Sequence, residues 1–178
     1  MAAPHLVEFS ELSPPKLTSY IENKQYQQIE SLMDSIRKYM QDLQNDTDEA
    51  EKVELITVLY YRISDEVNQM IRNDRMVIFP LICNEGSKSC KGRKLPMEMI
   101  KKMHKKILNL FERLRHMLNS YLAQPDWSQD FKLICEELHA LEQQVLQVIY
   151  LKENVLLPKV ENLFNQPCSG NCKNLSPS

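Results

Sequence analysis

Glycine is nearly missing: the chain of 178 residues has three, and none lies between Met1 and Asn84. Tight turns and phosphate-cradling loops depend on glycine's backbone freedom. Its scarcity disfavours sheet-rich and nucleotide-binding folds and favours long helices with few turns. Neither sign of charge dominates, and a formal net charge of -2 gives no electrostatic footprint for nucleic acid or an anionic membrane. No apolar run approaches the ~20 residues that span a bilayer. Met1 to Ser10 also lacks the basic and apolar regions of a secretory signal. A cytoplasmic protein is expected, with reduced thiols. Five cysteines, an odd number, argue against a full disulfide framework. The chain contains no Gly-rich phosphate loop, nucleophile elbow or His-Glu-x-x-His motif, so nothing marks an enzyme.

Helical periodicity is what the sequence does contain. Hydrophobic residues make up 43% and charged residues 26%, an ordinary composition for one soluble domain. A first helix is predicted from Ser13-Pro14-Pro15, where serine can cap and proline suits the first turn. Its stripe is Leu17, Ile21, Ile29, Leu32, Ile36, Met40 and Leu43. A second starts at Asp46, with Glu49 as a capping-box partner. It carries Val53, Ile56, Tyr60, Ile63, Val67, Met70 and Val77, and ends near Phe79-Pro80-Leu81-Ile82. After a loop over 83–95, a third helix begins at Pro96, carries Ile100, Met103, Ile107, Phe111, Leu114 and Leu118, and stops at Gln124-Pro125. Asp126 and Gln129 form a cap-like pair for the fourth, with Ile134, Leu138, Leu141, Val145, Val148, Val155 and Leu156. Long helices with short links make antiparallel neighbours. The expected fold is all-α, an antiparallel up-down-up-down four-helix bundle over residues 13–165, between a flexible N-terminus (1–12) and a flexible cysteine-containing tail (166–178).

Four polar residues interrupt or flank the stripes. Asp74 lies four after Met70 and three before Val77. His104 lies four after Ile100 and three before Ile107, and Lys152 four after Val148 and three before Val155. Tyr26 stands at the edge of the first stripe. A buried charge is costly unless paired, so Asp74 and Lys152 are expected to form an ion pair, with His104 and Tyr26 as hydrogen-bonding neighbours. Such a cluster can fix helix register, bind a small ligand or transfer a proton. In a rotated bundle, Lys152 would instead snorkel to solvent.

Leu17-Thr18-Ser19-Tyr20-Ile21, Ile78-Phe79-Pro80-Leu81-Ile82, Met103-His104 and Leu151-Lys152-Glu153-Asn154-Val155-Leu156-Leu157-Pro158-Lys159 follow one family's order and spacing. Over about residues 15 to 165 the chain resembles the iron-sulfur cluster repair di-iron proteins, in the part that is hemerythrin-like. The last segment is similar to that family's His-Ile-His-Leu-Glu-Asn-Asn-x-Leu-Phe-Pro-Arg signature. The resemblance implies a helical cage of histidines and two carboxylates around two irons, a chemistry suited to imidazole and carboxylate. Carried over, the ligand positions fall on Tyr26, Thr47, Met70, Asp74, His104, Val148 and Lys152. One histidine of five is retained, and one carboxylate, shortened to aspartate. Lysine replaces the other, and its positive charge repels a metal cation. The implied protein is a non-catalytic, metal-free relative, an interaction or regulatory module with a protein partner and no cofactor. The alternative is an iron-binding protein of cluster repair or of the nitric oxide and oxidative stress response.

Cys83 and Cys90 in the loop, with Cys168 and Cys172 in the tail, can meet at one end of such a bundle. Zinc, redox-sensitive disulfides and separate reduced thiols all remain open. Cys135 reads as core packing, as do Met33, Met40, Met70, Met103 and Met117. His5 falls in the frayed start, and His116 and His139 lie beside their stripes. Lys91, Arg93, Lys94, Lys101, Lys102, Lys105 and Lys106 form a solvated face or an anion-binding patch.

Overall fold

The structure, a computed structural model, describes residues 6–43, 50–83, 96–125 and 127–164. Among them there is no strand, and the chain is all-α. No helix among them is long and apolar enough to cross a membrane. A short α1 (Leu6–Glu11) precedes α2 (residues 14–43), α3 (residues 50–83), α4 (Met97–Met117) and α5 (residues 129–164).

Each of α2, α3 and α5 contains one widened π turn, at Ile21–Tyr26, Asp74–Ile78 and Lys152–Leu156. A π turn inserts a residue and shifts the phase of everything after it. Two of the three have a cause in the sequence. Pro80 and Pro158 each stand two residues beyond the turn, and a helical proline lacks its N–H and crowds the carbonyl four residues back. Widening the preceding turn relieves that clash. The α2 turn has no proline beyond it.

The phase shift corrects the expected stripe of α3. Val77 is exposed, and Ile78 and Ile82 take the interior instead. In α2 the step from Ile21 to Tyr26 is five residues, so Tyr26 lies fully in the core rather than at the stripe edge. Leu32 is half-buried, and the core otherwise holds the predicted residues of the four longer helices whose side chains are described. Met33, Met40, Met70 and Cys135 are among them, whereas Met103 is half-buried and Met117 is exposed beside the end of α4. Packing is most extensive between α2 and α5 and between α3 and α4.

Several ends differ from expectation. Residues 6–11 form α1 where a flexible start is predicted. Phe9 packs on Tyr20 with ring centroids 4.8 Å apart, and Lys159 Nζ donates to the carbonyls of Ser10 and Leu12 at 2.5 and 2.6 Å. At α2 the prolines occupy the first turn as expected, but the Ser13 side chain makes no capping bond. Helix α4 stops at Met117, before Gln124-Pro125, because Asn119 adopts the left-handed conformation that ends helices (φ 46°). Ser120 and Tyr121 follow with φ of 57° and 62°, a strained conformation for non-glycine residues. The cap of α5 is Ser128, whose Oγ accepts from the Phe131 N–H at 3.2 Å. The Asp46–Glu49 and Asp126 caps lie outside the described residues, as does the tail 166–178.

Candidate functional site

The π turns converge on one point. Tyr26 closes the turn of α2, Asp74 opens that of α3, and Lys152 opens that of α5. All three are fully buried, as is His104 of α4. Lys152 Nζ donates to Asp74 Oδ2 at 2.5 Å, and the Tyr26 hydroxyl donates to the same oxygen. The ion pair is therefore present and Lys152 does not reach solvent. Burial, followed by the charge and hydrogen bond of Asp74, pushes the Tyr26 hydroxyl well above its ordinary range. Tyr26 is a proton donor at neutral pH.

His104 departs from expectation. It makes no hydrogen bond to the Asp74–Lys152 pair. Its Nδ1 lies 2.8 Å from Oε1 of Glu153, a partly exposed residue that stripe spacing did not single out. Burial lowers the imidazole pKa to about 4, and the nearby Lys152 charge acts the same way. The Glu153 hydrogen bond, with the charges of Glu153 and Asp74, opposes them. The ring is neutral at pH 7, Nδ1 carries the proton that Glu153 accepts, and Nε2 keeps its lone pair. Met70 and Val148 are fully buried apolar neighbours in the core. Thr47, Cys90, Cys168, Cys172, His5, Lys91, Arg93 and Lys94 lie outside the described residues.

This centre offers a metal two unpartnered lone-pair atoms, His104 Nε2 and Asp74 Oδ1. Against them stands an ammonium 2.5 Å from the same carboxylate. Among the described residues, no group of three or more His, Cys, Asp or Glu is placed to hold a metal ion. The donor set does not fit a two-iron centre.

A second ionic cluster lies one residue further along α3. Arg75 bonds Glu22 through Nε at 2.7 Å and Glu30 through Nη1 at 2.6 Å, and its guanidinium sits 5.8 Å from the Tyr26 ring centre. Arg75 borders a surface groove of about 460 Å³ lined by Thr18, Glu22, Phe79 and Cys83, among others, but not by Tyr26, Asp74, His104 or Lys152. Cys83 is exposed there, its Sγ 3.6 Å from Thr18 Oγ1. Glu142, not among the expected polar residues although it fits their spacing, is also buried and pairs with half-exposed Arg115 at 3.0 Å. The Tyr121 hydroxyl is pushed up by burial and then by this carboxylate. His139 stacks on Tyr121 from an exposed position, and His116 is exposed. Lys101, Lys102, Lys105 and Lys106 are exposed, Lys106 pairing with Glu66 at 2.5 Å, as on a solvated face.

No family model matches the chain, and a search of curated proteins gives no match either.

Proposed function

We propose that the chain is an antiparallel up-down-up-down four-helix bundle of the hemerythrin-like kind whose metal centre has given way to an ion pair. It works as a non-enzymatic interaction or regulatory module in the cytoplasm, with a protein as partner. The observation that carries this reading is the Lys152 ammonium on Asp74, at the two positions where the resemblance puts bridging carboxylates. The bundle reading is supported by the sense of the contacts between helices. Tyr26 meets Asp74 and Met40 meets Thr57 across α2 and α3. Glu66 meets Lys106 and Asn73 meets Met103 across α3 and α4, and His104 meets Glu153 and Arg115 meets Glu142 across α4 and α5. In every pair the earlier residue of one helix meets the later residue of the other, as in antiparallel neighbours.

Fold likeness carries no function by itself. The partner reading draws support from the outer side of α3, where Leu55, Val58 and Tyr61 are exposed at three-residue steps. Replacing two of them, Leu55→Glu with Val58→Glu, should leave the melting temperature within a few degrees. It should also abolish cross-links to another protein that the wild-type chain forms at this face in cells. Unchanged cross-links, or none for the wild type, would contradict a partner on this face.

A second reading, iron binding in cluster repair or the stress response, is favoured by the posture of His104. A ring with Nδ1 on a carboxylate and Nε2 open in the interior is how a metal-ligating histidine is commonly held.

A further inference from the structure

The hydrogen-bond inventory of the core centre does not close with protein atoms alone. Asp74 Oδ2 receives both the Tyr26 hydroxyl and the Lys152 ammonium, leaving Oδ1 buried without a partner. His104 Nε2 is buried without a partner too, while Nδ1 faces Glu153. An ammonium carries three N–H groups, and Lys152 uses one of them, on Asp74. The centre thus holds two unmet acceptors on α3 and α4 and spare donors on α5. His104 Nδ1 is 2.8 Å from Glu153, the residue that follows Lys152, and the charges of Asp74 and Lys152 both act on its imidazole. Buried acceptors of this kind are nearly always satisfied, and a buried water commonly makes about three hydrogen bonds.

We propose that this centre is a binding site for one small neutral molecule with two donors and an acceptor, a single water in the resting protein. The water donates one proton to His104 Nε2 and one to Asp74 Oδ1, and accepts from Lys152 Nζ. Neither a chloride nor a simple ketone meets this demand, because neither has an N–H or O–H to give to the two acceptors. A bound cation meets it only by opposing the ammonium. The water joins Tyr26, Asp74, Lys152, His104 and Glu153 into one chain that touches α2, α3, α4 and α5 and ends at partly exposed Glu153. The proposal rests on the metal-free reading of the centre.

The test is a crystal structure of the full chain, reconstituted with ferrous iron and then desalted, at a resolution that resolves ordered water, with data collected on both sides of the iron absorption edge. A peak without anomalous signal, within hydrogen-bond distance of His104 Nε2, Asp74 Oδ1 and Lys152 Nζ, is the expected result. If there is no peak and the two acceptors have turned to protein donors, the water site is overturned while the metal-free reading stands. Iron anomalous signal at that point would overturn both.

Discussion

Asp74 and Arg75 are neighbours in sequence, and each ties α3 to another helix through charge, Asp74 to α5 and Arg75 to α2. Asp74 is fully buried, held by Lys152 and Tyr26. Arg75, about a third exposed, is shared between Glu22 and Glu30, themselves about a third exposed. The contacts have similar lengths, yet their energetic consequences differ. An exposed pair exchanges water for a partner at nearly equal cost and contributes ~0–1 kcal/mol. A buried pair has given up its hydration, so losing one member strands the other in the low-dielectric interior. The exposed cluster can be altered with little consequence, and the buried one only as a unit.

The largest expected effect follows from breaking the buried unit in half. Lys152→Met should destabilise the fold by roughly 3–5 kcal/mol in chemical denaturation, because Asp74 is left charged and unpaired. Replacing the whole unit, with Asp74→Leu, Lys152→Met and Tyr26→Phe together, should recover most of that loss, since no charge is then stranded. A triple variant as unstable as the single one would show that volume, not charge, governs the centre.

Acid should sharpen the same contrast. The folded chain holds His104 down to about 4 by burial and by the Lys152 charge, whereas an unfolded histidine titrates near 6.5. Between those values the unfolded state binds a proton that the native state refuses, so stability falls as pH falls. The contribution is complete above about pH 6.5 and is lost progressively down to about pH 4, at most about 3 kcal/mol. His104→Phe should flatten this part of the stability-against-pH curve, and an unchanged slope would assign it to other groups.

Arg115–Glu142 lies between the extremes, with a buried carboxylate and a half-exposed guanidinium. Arg115→Ala should cost ~1–3 kcal/mol by leaving Glu142 without its charged partner. The smallest effect belongs to the surface cluster: Glu30→Gln should change stability by less than ~1 kcal/mol and should fade further in salt. A loss equal to that of Lys152→Met would erase the distinction drawn between the two clusters.

Helices and core were legible in the sequence because amphipathic spacing reports directly on burial. The same spacing picked out Asp74, Lys152 and His104, and their burial bears it out. Applied evenly, it would also have marked Thr57, Ser64 and Glu142, each four after one stripe residue and three before the next. All three are buried, Thr57 and Ser64 giving their hydroxyls to the sulfurs of Met40 and Met33. What the spacing could not show were the π turns, which break the periodicity it assumes and so misplace Val77 and Tyr26. The eight-residue gap from Ile21 to Ile29 and the prolines at 80 and 158 were the available signals. The bond from His104 to Glu153 escaped notice because it joins a core residue to one at the margin, a relation between helices that no single helix's pattern contains.

The central claim is that an ion pair stands where a related centre would hold metal. The most direct measurement is the metal content of the full chain by mass spectrometry, after anaerobic reconstitution with ferrous iron and removal of loosely bound metal. The ion-paired centre predicts no stoichiometric iron and no oxygen-sensitive absorption. About two irons per chain, as in di-iron bundles, would contradict it and favour the iron-binding reading.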